Sequence, residues 1–122
     1  MKKSAAVLAL MVLALAGCAS TPEKDVAYQS INDFAAAYED AIGGDTECSR
    51  TSLDINDAGW IQTGCGHVIL MMFTSDDMRE EILQKNPLEA GERWVDGPNW
   101  SIVAAQYEAE DAQAALGGTL RD

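Results

Sequence analysis

The apolar positions change period along the chain, and each change marks an element. Ala5 to Ala16 is an unbroken apolar run of twelve residues. After it the pattern turns helical: Thr21 as N-cap, Pro22 in the first turn, then Ile31, Phe34, Tyr38, Ala41 and Ile42 at spacings of three and four, with Gly43-Gly44 as the stop. These signals predict a helix over 23–42. Residues 45–59 are polar and turn-rich except for the alternating patch Thr51-Ser52-Leu53-Asp54-Ile55, a predicted short strand ending in the turn Asn56-Asp57-Ala58-Gly59. Trp60-Ile61-Gln62 opens a further strand, and His67-Val68-Ile69-Leu70-Met71-Met72-Phe73 is apolar without alternation, the pattern of a strand covered on both faces.

Thr74-Ser75-Asp76-Asp77 has the composition of a helix start, Lys85 sits in the last turn, and Pro87 follows Asn86; Met78, Ile82 and Leu83 form the inward face. After a loop over 87–93, Trp94-Val95 and Trp100-Ser101-Ile102-Val103-Ala104-Ala105 read as strand, joined by the turn Asp96-Gly97-Pro98-Asn99. Glu108 to Leu116 is an Ala-rich helix closed by Gly117-Gly118. The order α-β-β-α-β-α predicts an α+β fold: a small mixed sheet of about three to four strands with helices packed on it. A strand, crossover helix and strand over 66–104 suggests two parallel central strands, and the Leu53 strand would add an antiparallel edge.

Composition narrows the partners. The chain has 122 residues, with 8 Lys+Arg against 20 Asp+Glu, a formal charge of −12. That length fits one domain, and 48% hydrophobic residues are enough to form a core. The acid excess excludes nucleic acid as a partner, because phosphate binding requires a basic footprint.

The twelve-residue apolar run is too short to span a bilayer, which takes about 20 residues, and it follows the basic pair Lys2-Lys3. It ends in Leu15-Ala16-Gly17-Cys18, which closely resembles the bacterial lipobox. The resemblance implies a signal peptide over 1–17, diacylglycerol transfer to the Cys18 thiol, cleavage after Gly17, and acylation (typically palmitate) of the new amino terminus. Residues 18–22 become the lipidated N-terminus and a short tether, and 23–122 a single domain. Removal of 17 residues, including Lys2 and Lys3, leaves 105 residues and a charge of −14. Two or three acyl chains anchor stably where one would be marginal. Ala19 after the lipidated Cys implies the outer membrane in a Gram-negative cell; in a Gram-positive cell the address is the outer face of the plasma membrane.

Cys48 and Cys65 remain as an even pair in an oxidising compartment, which predicts a disulfide. A reactive thiol is the competing reading, since Cys65 and His67 lie two apart and would share a strand face. Three segments, Cys65-Gly66-His67-Val68-Ile69-Leu70-Met71-Met72-Phe73, Gly97-Pro98-Asn99-Trp100-Ser101-Ile102-Val103 and Leu116-Gly117-Gly118, resemble small, uncharacterised lipoproteins of actinobacteria. That resemblance covers about half of the mature chain. It implies an envelope location and a compact α/β domain, and carries no catalytic residue across.

Other chemistry is thinly represented. Asp54-Ile55-Asn56-Asp57-Ala58-Gly59 begins like a calcium loop, but Ala58 stands at position 5 and Cys65 at position 12, so an EF-hand is rejected. His67 is the lone histidine and cannot build a multi-His metal site; no Gly-x-Ser-x-Gly or Ser-x-x-Lys is present. The acids Asp76-Asp77, Glu80-Glu81 and Glu108-Glu110-Asp111 fall on helix starts and outer faces, where capping and solvation account for them. Gly43-Gly44 and Gly117-Gly118 lie at helix ends, so there is no phosphate loop and no cofactor motif. Trp60, Trp94 and Trp100 form either core or an aromatic platform for a ligand. Together these features lead to a non-enzymatic, membrane-anchored envelope lipoprotein that binds an envelope protein or cell-wall partner. The alternatives are a small hydrolase or thiol-redox enzyme centred on Cys65 and His67, and a small-ligand carrier with a Trp-lined pocket.

Overall fold

In the computed structural model, which describes residues 23–121, the first helix, α1, spans Ile31–Ile42 and does not start at residue 23. Ser30 is its N-cap, with Oγ accepting from the Asp33 amide at 3.1 Å. The preceding residues find better partners in the tertiary structure than a helix would give them. The Trp100 indole N–H donates to the Val26 carbonyl at 2.8 Å, and the Asp25 amide donates to the Leu116 carbonyl at 2.9 Å. Asn99 meets both backbone groups of Tyr28, accepting from its N–H at 3.1 Å and donating to its C=O at 2.8 Å. Residues 25–28 are therefore a strap across the end of the core. The lipobox, Cys18 and the tether 18–22 lie outside the described residues.

The expected strand at 51–55 is also replaced. Asp54 caps a short helix, α2 (Ile55–Ala58), accepting from the Asn56 amide at 2.9 Å, because an Asp followed by a polar turn offers the backbone a local bond. The Asn32 side chain holds Thr51 through the latter's C=O (2.9 Å) and N–H (3.1 Å), and Leu53 is exposed. What lies beside the sheet edge here is a loop, tied down by the Cys48–Cys65 disulfide and by Ser49, whose N–H donates to Gly64 O at 2.9 Å.

The sheet has five strands, β1 (Trp60–Cys65), β2 (Val68–Phe73), β3 (Glu92–Asp96), β4 (Trp100–Ala105) and β5 (Thr119–Arg121), in the order β1-β2-β4-β3-β5. Every neighbouring pair is antiparallel, so five antiparallel-paired strands replace the expected mixed sheet of about three to four with two parallel central strands. β2 and β3 do run the same way, on either side of the helix α3 (Asp76–Lys85) in the chain. The tight turn at 97–99 then sends β4 back between them. Gly97 permits that turn: a Cβ there would lie 2.0 Å from the Trp100 ring. β5 follows the last helix, α4 (Gln106–Leu116), and the Gly-Gly pair that looks like a terminus is what lets it dock. At Gly118, with φ +85°, a Cβ would stand 2.8 Å from the Asp96 carbonyl on β3.

The fold remains α+β, with helices on both sheet faces. α1 and α4 cover one face, where Phe34, Ala35 and Tyr38 meet Ala109, Ala112 and Leu116 over Leu70, Met72, Trp100 and Ile102. α3 covers the other, with Ile82 and Leu83 over Met71, Phe73, Trp94 and Val103. The alternating side chains of β2 feed both clusters, which is why its sequence shows no polar–apolar alternation.

Candidate functional site

A concavity of about 530 Å³ lies where three element ends converge: the C-terminus of α1, the N-terminus of α4, and the β1–β2 hairpin. Antiparallel packing of α1 and α4 brings Tyr38 and Ile42 of one beside Tyr107, Glu108 and Asp111 of the other. Glu108 and Asp111, three apart on one helix, share a face. Asp45 and Glu47, on the loop leaving α1, line the same groove. The rim carries two further groups, His67 and the 68% exposed ring of Tyr107.

Tyr38 forms part of the groove wall and is unusual for a buried polar residue. It is 3% exposed, and its hydroxyl makes no hydrogen bond to another described residue. Among the described residues no fully buried side-chain oxygen or nitrogen lacks a partner, so the small exposed part of Tyr38 includes its hydroxyl, which opens onto the groove. Burial, and then the negative charges of Glu108 and Asp111, push its phenol up to about 12, so it is protonated and neutral at physiological pH. A neutral phenol both accepts and donates a hydrogen bond. Among the described residues no Lys or Arg lines the groove, and neither Glu108 nor Asp111 is in a salt bridge.

Cys65 also borders the groove, but as half of a disulfide: it and Cys48 are both buried and bonded to each other. The oxidised pair leaves no resting thiolate. His67 is exposed in the two-residue turn of the β1–β2 hairpin and not on a strand, so the shared strand face expected for Cys65 and His67 does not form. Near the disulfide, the Glu39 carboxylate accepts from the Arg50 guanidinium at 2.7 Å and from the Cys48 amide at 2.7 Å. Those bonds, Arg50 first, hold Glu39 below the usual carboxylate range.

The three tryptophans do not make a platform. Trp100 is fully buried under α1, in contact with the Phe34 and Tyr28 rings at centroid distances of 5.0 and 6.3 Å. Trp94 is buried on the opposite face of the sheet, and Trp60 packs half-buried against the cluster there. The acids divide as well. Glu80 pairs with Arg121 at 2.6 Å, which lowers its pKa, and Glu81 pairs with Lys85 at 3.2 Å. Glu110 accepts from Gln106 at 3.3 Å, while Glu108 and Asp111 turn to the groove. The calcium-like stretch at 54–59 is helix α2, with Asp54 Oδ1 engaged by Asn56. Among the described residues no group of three or more His, Cys, Asp or Glu is placed to hold a metal ion, and no helix is long and apolar enough to cross a membrane. Comparison with known proteins found no match: neither a family model, nor a curated protein, nor a solved structure matches this chain.

The signal that sequence reading missed is Tyr38. Its helical spacing with Phe34 marks it as core, which is correct for its ring. Only the meeting of α1's end with α4's start shows that the hydroxyl has no partner among the described residues.

Proposed function

We propose that the protein is an envelope lipoprotein, anchored through acyl chains on Cys18, whose domain is a non-catalytic binding module. The observation that carries this reading is the ordered series Lys2-Lys3, apolar run and Leu15-Ala16-Gly17-Cys18, where basic residues, a short hydrophobic segment and a small residue before Cys stand at signal-peptide spacing. The Cys48–Cys65 disulfide supports it, because such bonds persist in oxidising compartments. The geometry of the strap supports an outward-facing site. Asp25 is bonded to Leu116 and Gly118 at the C-terminal end of α4, whereas the groove lies at that helix's N-terminal end. Eleven helical residues separate these ends by about 16 Å. Cys18 is seven residues before Asp25, a reach of at most about 25 Å. The anchor thus enters at the end of α4 opposite the groove, and repulsion between the acidic groove and anionic headgroups favours turning the groove outward.

The test is metabolic labelling of the full chain, expressed in a bacterial host, with an alkyne palmitate analogue, followed by membrane fractionation. The expected result is a labelled, membrane-bound protein, and loss of both label and cleavage after residue 17 in Cys18→Ala. A wild-type chain recovered unlabelled in the soluble fraction would overturn the proposal.

A further inference from the structure

The groove between α1 and α4 is furnished for a ligand of definite chemistry. The Tyr38 hydroxyl, without a partner among the described residues, belongs to a residue that is otherwise buried, so solvation alone does not explain a polar group there. Glu108 and Asp111 on α4 act on it directly, and Asp45 and Glu47 on the loop after α1 line the same groove. The exposed Tyr107 ring adds an aromatic surface at the rim. The N-terminus of α4 contributes an opposing positive charge, but only about half a unit. Four carboxylates outweigh it.

We propose that this groove binds a primary alkylammonium group, with Tyr38 Oη accepting one N–H, the flanking carboxylates neutralising the charge, and Tyr107 covering the methylene stem. A primary ammonium has three donors and no acceptor, which matches a lining of acceptors and an aromatic face. An anionic ligand is repelled. A volume of about 530 Å³ accepts an aliphatic polyamine or a lysine side chain from a partner protein. Both carry the same head group, so the site is defined by that chemistry. The inference rests on reading the domain as a binding module but is independent of the lipid anchor. Cys18→Ala should bind amines as the wild type does, so failed lipidation and failed amine binding are separate results.

The test is calorimetric titration of the full chain in neutral detergent, at 0.15 M NaCl and pH 7.5, with spermidine and with an N-acetylated, C-amidated trilysine peptide. Saturable 1:1 binding of at least one is expected, and the tighter of the two identifies the source of the ammonium. Tyr38→Phe removes one oxygen without changing charge and should weaken binding about tenfold or more, as loss of a hydrogen bond to a charged group does. Glu108→Gln/Asp111→Asn should weaken it at least as much, and the charge-matched control Asp57→Asn/Asp77→Asn by less than threefold. Tetramethylammonium, which has no N–H, should be indifferent to Tyr38→Phe. Native circular dichroism of each variant establishes that it is folded, and the surface double variant does not disturb the core. Absence of saturable binding by either amine overturns the proposal. So does equal weakening by the groove and control pairs, which marks diffuse charge attraction, or tighter Tyr38-dependent binding of CaCl2 than of either amine.

Discussion

Arg79 is the residue on which the sheet's central hairpin turns. It is 6% exposed although it lies on a helix whose other charged side chains face water. Its Nη1 donates to the carbonyls of Gly97 (2.8 Å) and Trp100 (3.2 Å), and its Nη2 to that of Pro98 (2.9 Å). The guanidinium lies 5.7 Å from the centre of the Phe73 ring, and Asp96 and Asp76 stand at 4.0 and 3.4 Å. One planar cation thus satisfies the three carbonyls of a tight turn between β3 and β4, a task for a rigid fork of donors. Lysine keeps the charge but cannot reach all three. Arg79→Lys should therefore destabilise the protein by about 2–4 kcal/mol, within the range for a broken buried charged network. Urea unfolding at pH 7 checks this. The midpoint should fall with the denaturant slope unchanged, and a shift below about 0.5 kcal/mol would show that the turn does not depend on these bonds.

At the scale of elements, the disulfide joins the loop after α1 to the last residue of β1 and stands at the edge of the sheet, where unpaired strand groups would otherwise be exposed. It closes a loop of about 18 residues, for which chain entropy gives about 3 kcal/mol. Cys48→Ser/Cys65→Ser should lose about that much in urea unfolding. It should also speed hydrogen exchange of the Ser49 amide, bonded to Gly64 O, more than that of amides in β4. Equal acceleration at both would show a purely global effect. The elements fall into two groups by how legible they are. β1, β2, β4, α3 and α4 follow local periodicity and capping, and the sequence pattern locates them to within a few residues. The strap at 25–28, the loop at 51–54 and β5 are set by partners distant in the chain: Asn99 with Tyr28, Asn32 with Thr51, and β3 with β5. The motif Gly97-Pro98-Asn99-Trp100 stands out in the sequence, yet its reason is visible only in space. Gly97 makes room for the indole, Asn99 clamps the strap and Trp100 receives it. Strand direction is hidden for the same cause, since nothing in 66–104 alone indicates that β4 inserts between β2 and β3. The groove was half legible: Glu108 and Asp111 were visible as acids, while their union with Tyr38 depends on how α1 and α4 pack.

Over the whole molecule, the layering places structural and binding chemistry at different ends. The strap, the Gly117-Gly118 pair and β5 gather at the C-terminal end of α4, while the groove gathers acids at its N-terminal end with few cations near to offset them. Burial of Tyr38, with that imbalance added to it, makes stability depend on pH on the alkaline side. Tyrosines of the unfolded chain ionise near 10, whereas Tyr38 keeps its proton to about 12, first because it is buried and then because Glu108 and Asp111 oppose a third negative charge. Between those values the native state binds more protons than the unfolded one, so stability falls as pH rises through the window and is complete below 10. The difference between those two values corresponds to about 2–3 kcal/mol. Burial raises Tyr28 as well, in the same direction. Tyr38→Phe removes the titrating group from both states, and because its hydroxyl bonds to no described residue it should cost less than about 1 kcal/mol at pH 7. Urea midpoints of the two proteins, measured from pH 8 to 12, should therefore differ by a constant below pH 10. Above it they should converge or cross as the wild type alone loses the Tyr38 contribution. Parallel curves across the whole range would show that the phenol ionises freely in the fold, and that the acids of α4 do not crowd it.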